Sequence, residues 1–119
     1  MKILIVDDNQ EIAWVVKIML EEEGYEVRSA KDGEDGYRVF LEFKPDLIIT
    51  DIQMPGENGI ELMKQIRIHN PSARNIYMSG DLASYWPLLE EERKRYHVSV
   101  LEKPFSRVEL MGLVSEGTA

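Results

Sequence analysis

The chain has 119 residues, 44% hydrophobic and 30% charged, which suits one globular domain whose folding removes roughly two thirds of its extended-chain surface from water. Its 14 basic and 22 acidic residues leave a net charge of −8, which argues against direct nucleic-acid binding, because neutralising phosphates needs clustered Lys and Arg. The absence of cysteine excludes disulfides and thiolate metal sites, the opening Met1 to Val6 is too short for a secretory core, and no run approaches the ~20 apolar residues of a membrane span, so a soluble cytoplasmic protein is expected.

Apolar runs alternate with helical patterns, which predicts βα units around a mainly parallel sheet. The first strand is Lys2 to Val6, ending on Asp7-Asp8-Asn9. A helix follows over about Gln10 to Glu23, with Ile12, Val15, Val16, Met19 and Leu20 on its inner stripe. Gly24 stops it where a positive φ is wanted, and a short strand runs from Tyr25 to Ser29. Lys31-Asp32-Gly33 opens a second helix, about Glu34 to Phe43, with Tyr37, Phe40 and Leu41 inward. Gly36 within it costs ~1 kcal/mol relative to Ala.

After Pro45 the run Leu47-Ile48-Ile49-Thr50 reads as a parallel strand buried on both faces, and it stops on Asp51 before a Met54-Pro55-Gly56 loop. The third helix spans about Gly59 to His69, with Ile60, Met63 and Ile66 inward, and Asn70-Pro71-Ser72 breaks it. The fourth strand, Asn75 to Met78, ends on Ser79-Gly80-Asp81. Pro87 is tolerated only near a helix start, so the fourth helix is expected from Ser84 or Trp86 to Arg95. The last strand, Val98 to Leu101, runs into Lys103-Pro104-Phe105, the final helix covers about Val108 to Val114, and the tail Ser115 to Ala119 is expected to fray. No repeat or linker divides residues 1–119, and the two histidines, His69 and His97, lack ligand spacing.

Five strands and five helices imply a doubly wound α/β sandwich, and the flavodoxin-like order 2-1-3-4-5 gathers the strand ends at one cleft. Asp7, Asp8, Asp51, Ser79 and Lys103 then meet there. Singly each is an ordinary cap or turn residue. Jointly they describe a site. Two carboxylates ~4 Å apart at an effective dielectric of ~20 repel by ~4 kcal/mol, so three converge only around a cation. Oxygen ligands without His or Cys suit Mg²⁺, with Mn²⁺ a possible substitute. The ion and Lys103 would keep Asp51 ionised and neutralise an incoming phosphoryl group, to which Ser79 can donate and for which Gly80 leaves room.

The chain resembles the receiver domain of two-component response regulators over nearly its whole length. The resemblance rests on Asp7-Asp8, on Asp51 with Met54-Pro55 and Gly59, on Ser79-Gly80, and on Lys103-Pro104-Phe105. It implies that Asp51 is phosphorylated by a histidine kinase or histidine phosphotransfer protein. Asp8 and Asp51 would ligate Mg²⁺ directly, Asp7 through a water, and Gln53 through its backbone carbonyl. Ser79 and Lys103 would contact the phosphoryl group, Ser79 would move as the switch hydroxyl, and the Lys103-Pro104 bond would be cis. Gln53 and Asp81 would tune the lifetime of the phosphate. The output face would comprise the fourth helix, last strand and final helix. With no output domain in the sequence, an unknown output protein or a segment outside this chain would read it.

Val100 departs from the pattern, since similar proteins carry Tyr or Phe three residues before the lysine. A β-branched valine cannot swing as a ring does, so Tyr85 or Trp86 would carry the signal, or else only pack locally. Trp14 and Ile18, at i and i+4 on the first helix, are the expected anchor for the phosphodonor; alternatively Trp14 covers the sheet edge. The second reading is a pseudo-receiver, an interaction module without phosphorylation. An aspartyl phosphatase would want Asp-x-Asp and a cap domain, and a flavin site would want a Ser/Thr/Gly-rich loop after the first strand. Neither fits.

Overall fold

Parallel neighbours cannot be joined by a tight hairpin, so each strand here is followed by a helix that carries the chain back. The computed structural model describes residues 1–116. Its elements are β1 (Lys2–Val6), α1 (Gln10–Glu22), β2 (Glu26–Ala30), α2 (Gly33–Phe43), β3 (Leu47–Asp51), α3 (Gly59–His69), β4 (Arg74–Ser79), α4 (Leu82–Arg95), β5 (Val98–Glu102) and α5 (Arg107–Glu116). The strands form one parallel sheet in the order β2-β1-β3-β4-β5, the flavodoxin-like arrangement expected from the sequence. Among the described residues, no helix is long and apolar enough to cross a membrane.

The alternation of β-strand side chains splits the core in two. Leu4, Val6, Ile48 and Tyr77 face α2, α3 and α4, whereas Ile3, Ile5, Ile49, Ile76 and Met78 face α1 and α5. β3 is buried along its whole length, as its unbroken apolar run requires.

Several helix faces differ from expectation. α1 buries Ala13, Val16 and Leu20, a narrow i, i+3, i+7 stripe that leaves Val15 45% exposed. α2 buries Gly36, Val39, Phe40 and Phe43, which rotates Leu41 outward. The glycine in α2 has a packing cause: a Cβ on Gly36 would lie 3.0 Å from Val6 Cγ2 and 3.2 Å from Leu62 Cδ2. Gly24 has φ +90°, as its role as a stop demands.

α4 begins earlier than the proline rule suggests, at Leu82, with Pro87 inside it. Pro87 has no N–H to offer the Ala83 carbonyl, but both residues are exposed, and the Asp81 side chain caps the first turn by accepting from the Ser84 N–H. At the other terminus α5 extends through Ser115 and Glu116, and residues 117–119 of the expected tail lie outside the described residues.

Polar groups hold the helices on the β4–β5 side of the sheet. Arg74 at the start of β4 is buried and donates to the Val114 carbonyl at 3.0 Å and to that of Leu113, anchoring the last turn of α5. Arg67 of α3 and Glu92 of α4 form a buried ion pair at 3.0 Å, and the Tyr77 hydroxyl donates to the same Glu92 oxygen at 2.5 Å. Removing one partner of a buried pair strands the other charge. Arg67→Met is therefore expected to cost about 3–5 kcal/mol, measured by urea denaturation followed by circular dichroism.

Candidate functional site

Register brings the functional side chains to one edge. Val6 pairs with Thr50, Asp51 with Met78, and Ser79 with Glu102, so β1, β3, β4 and β5 all end at the same level. The loops continue this alignment: the Ile52 N–H donates to the Met78 carbonyl at 3.0 Å and the Lys103 N–H to the Ser79 carbonyl at 2.8 Å. The Lys103-Pro104 bond is cis, as the resemblance implies.

Asp7 is wholly buried. Its Oδ1 accepts from the Asn9 N–H at 2.9 Å and its Oδ2 from Lys103 Nζ at 3.1 Å. Lys103 Nζ also donates to Asp51 Oδ2 at 3.3 Å, so one ammonium bridges the two carboxylates. Asp8 is exposed beside them, and one carboxylate oxygen from each of Asp7, Asp8 and Asp51 lies within 4.8 Å of the others. All the donors are hard oxygens, and three carboxylates so close fit a small divalent cation.

The electrostatics are divided. Burial pushes the Asp51 carboxyl above the ordinary carboxylate range and the Asp7 charge adds to it, against the pull of Lys103. For Lys103, burial works against the charge, but Asp7 and then Asp51 outweigh it and raise the ammonium pKa. The ammonium stays charged while Asp51 remains under strain from its surroundings.

Backbone packing fixes the position of Asp51. The Thr50 hydroxyl donates to the Asp51 carbonyl at 2.9 Å, and a Cβ on Gly59 would sit 2.2 Å from that carbonyl oxygen. Gly59 is therefore required by the close approach of α3 to the end of β3. By contrast, a Cβ on Gly80 would meet no protein atom within 4 Å.

Ser79 is buried at the end of β4, and its Oγ accepts from the Asp81 N–H at 2.9 Å. Its own hydrogen has no acceptor among the described residues. Asp81 caps α4, Gln53 lies exposed two residues beyond Asp51, and half-buried Val100 pairs with Tyr77 across β4 and β5. Tyr85 is half-buried against the same core, while Trp86 is 42% exposed beside Arg93.

Of the expected docking pair, Trp14 is 64% exposed and Ile18 is half-buried. A groove of about 490 Å³ is lined by Ile12, Val15 and Met19 of α1 together with Lys103 and Phe105, whereas Trp14 lines a separate depression with Gln10, Lys17 and Ser29. Val15 is the surface residue that periodicity missed. An aliphatic in an apolar helix stripe gives no sign of which side of the stripe's edge it occupies.

A flavodoxin-like sheet with this carboxylate–lysine edge defines a recognisable class of protein, and the comparisons place the chain in it. The family model described as the response regulator receiver domain matches residues 3–115, and the chain belongs to that family. The response regulator TrrA of Thermotoga maritima, solved in complex with Mg(2+)-BeF, is similar at 33% identity over 97% of this chain and 96% of that one, with a TM-score of 0.84. The chemotaxis protein CheY4 of Vibrio cholerae is similar at 26% identity over 97% and 96% of the two chains, with a TM-score of 0.87. A receiver domain protein of Clostridium thermocellum is similar at 29% identity over 97% and 91%, with a TM-score of 0.84.

Because its folded pKa is raised, Asp51 costs stability as pH climbs through the carboxylate range, and costs none below its unfolded pKa. In EDTA near neutral pH, Asp51→Asn is expected to stabilise the chain by on the order of 1 kcal/mol. Millimolar Mg²⁺ should then stabilise the wild type, by about 1.4 kcal/mol at ten times its Kd, and the variant less; thermal unfolding with and without Mg²⁺ measures both.

Proposed function

We infer that the chain is a phosphoacceptor of a two-component system or phosphorelay, taking a phosphoryl group from a histidine kinase or histidine phosphotransfer protein onto Asp51. The observation that carries this reading is the Lys103 ammonium, 3.1 Å from Asp7 and 3.3 Å from Asp51. A carboxylate beside a fixed cation, with an unused hydroxyl hydrogen on the next strand, is equipped to receive a group rich in negative oxygens. The Asp51 oxygen attacks phosphorus, the phosphorus–nitrogen bond of the donor breaks, and the electron pair leaves with the imidazole. Lys103 neutralises charge on the phosphoryl oxygens, and Ser79 turns its free hydrogen toward one of them.

Asp8 and Asp51 would hold Mg²⁺ directly, Asp7 through a water and Gln53 through its carbonyl, and the ion would neutralise phosphoryl charge; Mn²⁺ would serve the same donors. Gln53 and Asp81 flank the phosphoryl position and would govern how readily water reaches it. A cytoplasmic placement and an output protein reading α4, β5 and α5 belong to the same proposal. Val100 favours a second reading, an interaction module that is never phosphorylated.

Incubation with acetyl phosphate and Mg²⁺ followed by intact mass separates the two. A gain of one phosphoryl mass, absent in Asp51→Asn, is expected; no gain in the wild type supports the interaction module. For docking, the exposed Trp14 on α1 supplies an apolar anchor, and its neighbour Val15 lines the groove that includes Lys103. Trp14→Ala is expected to slow transfer from a cognate kinase about tenfold while leaving the acetyl phosphate reaction unchanged. Equal kinase rates would remove Trp14 from the docking surface.

A further inference from the structure

Two connections tie β4 to α4. At the end of the strand, Ser79 Oγ accepts from the Asp81 N–H, and the Asp81 carboxylate in turn accepts from the Ser84 N–H at 3.3 Å and the Ser84 hydroxyl at 2.5 Å. Two residues upstream and on the same face of the strand, the fully buried Tyr77 donates to Glu92 Oε1 at 2.5 Å. The same Glu92 oxygen accepts from Arg67 at 3.0 Å, whose guanidinium lies 4.2 Å from the Tyr96 ring centroid. Burial, then the charge and hydrogen bond of Glu92, push the Tyr77 phenol pKa up, so the hydroxyl remains a donor.

A ring enclosed on every side does not rotate out to solvent, and in a close-packed core it moves only with its strand. Its registered neighbour Val100 brings no polar group to the space between β4, β5 and α4. Tyr77 is thus a polar link from the interior of the sheet to α4, and it shares a strand with Ser79, whose hydroxyl accepts from the Asp81 N–H.

Resting on the receiver reading, we propose that Tyr77, held by Glu92 and Arg67, is the positioning residue that makes α4 follow Ser79. When Ser79 is drawn toward a phosphoryl group on Asp51, the end of β4 shifts. The Asp81 cap passes that shift to the first turn of α4, and the Tyr77–Glu92 hydrogen bond passes it to the later turns. Both ends of the helix then respond together.

The test uses the full chain with acetyl phosphate and Mg²⁺, intact mass to set phosphoryl occupancy, and hydrogen–deuterium exchange across Leu82–Arg95. Phosphorylation of the wild type is expected to change exchange throughout α4. At matched occupancy, Tyr77→Phe, which keeps the ring and loses the hydroxyl, is expected to shrink the change in the later turns at least fivefold. If that variant fails to fold, the pair Arg67→Met/Glu92→Leu makes the same comparison, because apolar groups of similar volume replace the buried ions. A change of wild-type size in the folded variant overturns the proposal, as does a phosphorylated wild type whose α4 exchange is unaltered. A wild type that gains no phosphoryl mass overturns the receiver reading instead, a result visible before any exchange is measured.

Discussion

A single ammonium group lets two buried carboxylates coexist. Asp7 and Asp51 end neighbouring strands and meet inside the protein surface, where their repulsion would amount to ~4 kcal/mol at ~4 Å and an effective dielectric of ~20. Lys103 lies within 3.3 Å of both. To deliver it there, β5 must end level with β4, a condition met by the hydrogen bond from the Lys103 N–H to the Ser79 carbonyl. The alignment of the whole sheet edge therefore serves the placement of one charge.

The two halves of the molecule are stabilised differently. α1, α2 and α3 lie on the sheet through apolar faces, down to a glycine that lets α2 touch Val6. α4 buries only Leu89 and Glu92, and α5 only Leu110 and Val114. Arginines make up the difference, Arg67 gripping α4 through Glu92 and Arg74 gripping the last turn of α5. Apolar packing is less directional than a hydrogen-bonded ion pair, whose geometry is defined. The helices beside β4 and β5 are thus held in defined positions by a few directional contacts.

The polar edge of the sheet was legible in the sequence because parallel strands announce themselves. Leu47 to Thr50 is apolar without alternation, so Asp51 had to lie at an exit from the sheet, and the same logic located Asp7, Ser79 and Lys103. Helix facing was less legible. Val15 and Leu41 sit one position from the true stripe, and a broad apolar pattern does not choose between adjacent positions. Proline misled the reading of α4, because the rule concerns an unsatisfied carbonyl and here that carbonyl belongs to an exposed turn. The Arg67–Glu92–Tyr77 cluster gave no signal. Arg67 reads as an ordinary basic residue in the last turn of a helix, and Glu92 stands in a charged run that looks solvated.

Pro87 has a mechanical consequence of its own. In an unbroken helix the first turn is laced to the next by every N–H, so lifting it means tearing that ladder. Here the rung that would join residue 87 to Ala83 does not exist. The segment from Leu82 to Trp86 is therefore joined to the rest of α4 by one rung fewer, and the Asp81–Ser84 clasp holds its N-terminal end. Trp86 directly precedes the proline, so the largest side chain of α4 stands next to the missing rung.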